Sequence, residues 1–322
     1  MCGPNAQHVS DSPRSSGREY SDPVTPELLQ TALLRALATI AEARGARLVS
    51  PEVRLRRRTE GREGEWSSTL ALHTAGSMNM EPHDLAEAIA EMVAAHPCVA
   101  AVTVSGPGFL NISLTRAARG QVAVDIVSAG SIADPADSEF SRIESFIDSL
   151  ISSGAEPDQA EVLMSNDASR LMAVDGMRRG PRIHDGNLLR KGHWDNPVYR
   201  LQFAHAEAHR VRRRAVAAGV DSSGFDPEAL SDSAEVKLLN ALADYPRTVS
   251  AAASKDEPER ILDLVEAVAE LLVSWTQTTV ITPSLDEPIT TLHASRLVLD
   301  RAAIIVLAAG LRLMGLSAPE RM

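Results

Sequence analysis

The first third of the chain mixes two hydrophobic periods. After the start signal Thr25-Pro26, Leu29, Leu33, Ala36 and Ile40 trace one helix face that stops at Gly45. Val53-Arg54-Leu55-Arg56 alternates as a strand does. Pro82 opens a second helix carrying Leu85, Ile89 and Met92, which stops before Pro97. Val99 to Val104 is a short apolar strand, followed by the turn Gly106-Pro107-Gly108 and a strand from Phe109 to Leu114. Leu110, Ile112 and Leu114 share one face of that strand; Phe109, Asn111 and Ser113 share the other. This order of helices and short strands predicts a small α+β domain over 25–115.

From about residue 160 the pattern is helical throughout. Asn196 is an N-cap, and Pro197 fits the first helical position, where a missing N–H costs nothing. Val198, Leu201, Ala204, Ala208, Val211 and Ala215 then form a buried stripe. Tyr199, Gln202, Ala206, Arg210 and Arg213 fall on an adjacent face. Pro258 starts a helix with Ile261, Leu264, Val268, Leu271 and Trp275 at spacings of three and four. Pro288 starts another through Val298, Ala302, Ile305, Ala309 and Leu313, with Gly315 just past its end. Helices of this kind predict an all-α bundle over 161–322. Between the two blocks, 116–160 reads as a linker with one helical piece around Ile143, Phe146, Ile147 and Leu150. Residues 1–24 are rich in Ser, Pro, Gly and Asp without a hydrophobic period and read as a disordered tail.

Composition narrows the function classes. With 322 residues, 44% of them apolar, the chain has enough material for two domains. Cys2 and Cys98 supply no disulfide framework and no metal-ligand spacing. No signal peptide or apolar run of membrane-spanning length is present, so the expectation is a cytoplasmic protein with no membrane partner. The net charge of −11 argues against a simple nucleic-acid binder, which is usually basic, and no DNA partner is expected. Charge is local, however: from Arg170 to Ala215, eleven basic residues face four acidic ones. One basic zone on an acidic protein suits a structured RNA held at one surface. Exposed rings, an amide and arginines on one helix face are the groups that receive unstacked bases and phosphates. An ordinary solvated face is the alternative for the same stripe, as is a half-exposed strand end for Phe109.

Asn196-Pro197-Val198-Tyr199, with Gln202, Ala204, His205 and Ala206, resembles the helix that opens the anticodon-binding domain of arginyl-tRNA synthetases. Arg200, Phe203 and Glu207 stand where that family has Tyr, Tyr and Arg. Asp167-Ala168-Ser169-Arg170 resembles the Asp-Ala-Leu-Arg signature of the same domain. The ending Ser317-Ala318-Pro319-Glu320-Arg321-Met322 is similar to the family's terminus, and Gly106-Pro107-Gly108-Phe109-Leu110-Asn111 to its N-terminal element Gly-Pro-Gly-Phe-Ile-Asn. Gly64-Glu65-Trp66-Ser67-Ser68-Thr69 is a weaker match to the family's Gly-Asp-Tyr-Ala-Thr-Asn. The resemblance implies an N-terminal tRNA-binding domain and the anticodon-binding bundle of class I aminoacyl-tRNA synthetases. It implies D-loop contacts through Phe109 and Asn111. It also implies anticodon-arm contacts through Tyr199, Gln202, Phe203, Arg210, Arg213, the neighbourhood of Trp275, and Met322. The implied partner is tRNA, with arginine tRNA the candidate.

The family's nucleotide-binding signatures, His-x-Gly-His and a Lys-Met-Ser-Lys-like loop, are not found in the sequence, nor is a Gly-rich phosphate loop. No catalytic residue and no cofactor are expected. His205 and His209 lie at i, i+4 but lack the Glu that follows the first His on a zinc-hydrolase helix, so no metal is expected. The leading expectation is a non-catalytic arginyl-tRNA synthetase paralogue that binds tRNA. A regulatory or protein-interaction module is the alternative, supported by Arg200, Glu207 and Thr276, which alter the RNA face relative to the family. An arginine–tRNA ligase is the third reading.

Overall fold

The computed structural model describes residues 26–47, 53–58, 64–130, 137–153, 166–179, 192–284 and 286–322. The polar first 24 residues, Asp134-Pro135, 154–160 and the basic positions Arg182, Arg190 and Lys191 lie outside the described residues.

The N-terminal unit is α+β. Helix α1 (Pro26–Ala43) buries Leu29, Leu33 and Leu37, as its period requires. Strands β1 (Leu55–Arg57), β2 (Trp66–Ser68), β3 (Val99–Ser105) and β4 (Phe109–Leu114) form one antiparallel sheet in the order β1-β2-β4-β3. The register places Trp66 opposite Ile112 and Ser68 opposite Leu110. Helices α2 (Leu70–Thr74) and α3 (Pro82–Ala94) belong to the same unit. Leu85, Ile89, Leu110 and Ile112 are fully enclosed in its core.

After β4 the buried residues belong to a second core, except Ala118 at the start of the next helix, which packs with the first. Where the pattern suggests a linker with one helical piece, two helices stand: α4 (Arg116–Ala129) and α5 (Asp137–Ser153). Thr115 caps α4 by accepting a hydrogen bond from the Ala118 N–H at 3.1 Å. Val122 and Ala123 of α4, and Ile143 and Ile147 of α5, pack in the same core as the C-terminal helices. Gly120 makes this possible: a Cβ there would fall on the Pro227 carbonyl, so only glycine lets α4 lie against that turn.

The remaining helices are α6 (Asn166–Arg179), α7 (Pro197–Ala217), α8 (Ser233–Ala243), α9 (Tyr245–Lys255), α10 (Glu259–Thr278) and α11 (Thr291–Leu313). Helix α11 starts three residues beyond Pro288. Thr290 and His293 form a reciprocal capping box there. Among the described residues no helix is long and apolar enough to cross a membrane.

The two units touch through a cationic clamp. Arg57 on β1 donates to Asp244 Oδ2 at 2.8 Å, to Asp244 Oδ1 at 3.1 Å and to the Asn240 carbonyl at 3.2 Å. Arg247 on α9 donates to the Leu55 carbonyl at 3.0 Å. Both guanidinium groups lie over the Trp66 ring, at 4.2 Å and 5.4 Å from its centroid. Because Arg57 and Asp244 are mostly shielded from water, this pairing is screened less than a surface ion pair.

Candidate nucleic-acid interface

Helix α7 is set by its own sequence. Asn196 Oδ1 accepts from the N–H groups of Val198 (3.0 Å) and Tyr199 (3.4 Å), satisfying two of the first-turn donors. Val198, Leu201, Ala204, Ala208 and Ala215 are buried against α10 and α11; Val211 is half-buried. The adjacent stripe, expected to be one surface, divides into two.

One half lies under the chain's own C-terminal tail. Gln202 Nε2 donates to Asp167 Oδ2 at 2.8 Å and to Ser317 Oγ at 2.7 Å. His205 Nδ1 lies 2.9 Å from the Pro319 carbonyl, and Arg213 donates to the Glu320 carbonyl at 3.2 Å. Asp167 also accepts from the Ser317 N–H at 3.1 Å. Arg170 donates to the Met314 carbonyl at 3.3 Å and to Asp148 Oδ1 at 2.7 Å. The Asp167–Arg170 signature thus anchors the tail onto α7. Met322, beyond the last anchor, is 61% exposed.

The other half is not covered by the tail, and its two helix rings, Tyr199 and Phe203, are half-buried. Tyr199 stacks on Phe203 with centroids 5.9 Å apart, and Phe203 meets Trp194 in a T-shaped contact at 5.6 Å. Trp194 is 46% exposed and precedes the N-cap, where no hydrophobic period marks it. Further along, Glu207 forms an ion pair with Arg210 on the same helix. Arg210 stays about half exposed but is already partnered.

Three expected contacts stand elsewhere. Phe109 is on the separate α+β unit, 37% exposed at the end of β4. Asn111, expected to offer its amide to a base, is 3% exposed: its carbonyl oxygen accepts from Arg58 and its Nδ2 donates to Ser105 Oγ at 2.9 Å. Trp275 is 0% exposed inside the bundle, so its ring has no face free for RNA and serves the core instead.

Two histidines face the tail, His205 at the Pro319 carbonyl and His209 toward Glu320. Burial holds the His205 imidazole below the usual histidine value, against opposing effects of the Pro319 carbonyl and Glu320. His209 is also lowered, first by burial, then by His205, Arg212 and Arg213, with Glu320 opposing. The folded chain therefore favours both neutral forms. Their contribution to stability is present above about pH 6.5 and is lost as pH falls through the lowered folded values. The melting temperature is expected to drop between pH 7 and pH 5, and His209→Gln to shrink that drop. An equal drop in the variant would dissociate the histidines from the effect.

Two family descriptions match the chain: Arginyl tRNA synthetase N terminal domain over residues 27–114, and DALR anticodon binding domain over residues 201–322. An arginine–tRNA ligase of Clavibacter sepedonicus is 45% identical over 128 residues, which cover 40% of this chain and 23% of that protein. One from Paenarthrobacter aurescens is 38% identical over 159 residues, covering 49% and 29%. One from Micrococcus luteus is 43% identical over 147 residues, covering 44% and 26%. The chain matches less than a third of the length of these curated relatives. The solved Thermus thermophilus arginyl-tRNA synthetase superposes with a TM-score of 0.54 over 92% of this chain and 100% of that chain. At 11% identity this likeness shows a shared fold.

Proposed function

From a chain that is arginyl-tRNA synthetase-related, joining that family's N-terminal and DALR anticodon-binding domains without a catalytic domain between them, we propose a non-catalytic tRNA-binding protein of the cytoplasm. The observation that carries it is the aromatic run at the start of α7, where exposed Trp194 meets the half-buried rings of Phe203 and Tyr199. Stacked rings of this kind receive unstacked bases of a single-stranded loop. Phe109, exposed on the other unit, offers a second contact, to the D-loop of the same tRNA. Asn111 then acts indirectly, by holding Arg58 and Ser105 beside it. Arginine tRNA is the candidate partner.

Phe203→Ala and Phe109→Ala are each expected to weaken tRNA binding by about 5- to 100-fold, the worth of one lost stacking contact. Retention of tRNA unchanged in both variants would sink the two-contact reading. ATP–pyrophosphate exchange with arginine is expected to be absent; exchange above background would overturn the non-catalytic reading.

A second reading has its own support. Gln202 and Arg213 are engaged by the tail, and Arg210 by Glu207, so three polar groups of the expected RNA face are partnered within the chain. A surface satisfied in this way suits a protein-interaction or regulatory module, and a protein partner that co-purifies without RNA would favour it.

A further inference from the structure

A groove of about 210 Å³ lies between α7 and α10, lined by Trp194, Arg200, Glu266 and Glu270 over a floor that includes Leu201 and Val273. Resting on the tRNA-binding reading above, we propose that this groove is a nucleobase subsite that selects guanine.

Trp194 supplies an exposed aromatic surface, braced by its T-shaped contact with Phe203. Every base can stack there, so the ring gives affinity without choice. Choice comes from the polar lining. Glu266 and Glu270 are four apart on α10, so both carboxylates stand on one side of the groove. Arg200 reaches across from α7 and forms an ion pair with Glu266, Nη2 to Oε1 3.9 Å. Glu270 lies exposed beside that pair, so the lining presents a carboxylate as well as a guanidinium and suits a plane carrying both donors and acceptors.

Guanine carries two neighbouring donors, N1–H and N2–H, which match the two oxygens of a carboxylate, and beside them the O6 acceptor, which matches a guanidinium. Adenine and cytosine each set a ring-nitrogen acceptor next to a single amino group and would turn that lone pair toward the carboxylate. Uracil has one donor between two acceptors. Guanine alone among the four bases fills the lining without a mismatch.

The chain carries its own reporter. Of its three tryptophans, Trp66 and Trp275 are 2% and 0% exposed, so quenching by a ligand reads Trp194. The full chain is titrated with pentaribonucleotides UUXUU, where X is each base, following tryptophan emission. The G oligomer is expected to bind about tenfold tighter than the other three. Glu270→Gln should bring the four to within about twofold, and Trp194→Leu should remove the quenching, with circular dichroism confirming the fold of both. Equal affinities for all four oligomers, with tRNA still retained on a filter, would overturn the guanine subsite and leave the tRNA reading standing. Retention of neither oligomer nor tRNA would overturn both. Quenching by an arginine-containing peptide but by no oligomer would overturn the proposal in favour of a protein partner's guanidinium.

Discussion

Trp275→Ala is expected to destabilise the helical unit by about 3–5 kcal/mol, the range for emptying a large aromatic site in a core. The ring is fully enclosed, and it continues the stripe of Ile261 and Val268 along α10. Its indole N–H is buried without a hydrogen-bond partner, so the side chain contributes volume and apolar area while its one polar atom is a liability. Trp275→Phe should therefore cost much less than the alanine variant. Urea unfolding followed by circular dichroism measures both. The phenylalanine variant also separates two roles for this position. A core residue replaced in this way leaves the tRNA affinity of the folded protein within about twofold, a change below ~0.5 kcal/mol. A folded Trp275→Phe chain that has lost tRNA would restore the indole as an RNA contact.

Gly315→Ala is the second large effect. Gly315 sits at φ +67°, where a Cβ costs about 1–2 kcal/mol. That Cβ would also fall on the Arg170 guanidinium, and forcing an extra carbon into a packed site costs about 1–3 kcal/mol more. Arg170 cannot simply step aside, because its two terminal nitrogens hold Asp148 Oδ1 and its Nε holds the Met314 carbonyl. Displacing it loosens the turn that leads the tail back over α7. The expected result is a lower urea midpoint together with faster amide exchange at Leu316 and Ser317. A midpoint unchanged from the parent chain would mean that Arg170 is not confined as described.

Much of this architecture is written in local signals. Asn196 and Pro197 announce α7 because capping is a property of a few adjacent residues, and the structure shows the cap in place. The bundle and the α+β unit follow from hydrophobic period in the same way. What escapes sequence reading depends on distant partners. Helix α4 has little amphipathic contrast, and its burial rests on Gly120 meeting Pro227, over a hundred residues away. Strands β1 and β2 are three residues each, too short for alternation to stand out. Asn111 faces away from Leu110 and Ile112 as alternation requires, but Arg58 and Ser105 claim it. Trp275 is a different case: its spacing from Ile261 and Val268 already carried the signal of a core position. On α7 the tail takes Gln202, His205 and Arg213, a pairing between residues more than a hundred positions apart that no period on the helix could reveal. Trp194, outside any period, needed the structure to bring it against Phe203.

Despite a net charge of −11, the chain is proposed to hold tRNA at two local surfaces, the α7 rings and Phe109. Filter retention of labelled tRNA as a function of salt tests it most directly. The expected result is retention at low salt, with log affinity falling linearly against log salt at about −0.7 to −0.9 for each phosphate contacted. No retention of tRNA even at the lowest salt would contradict it.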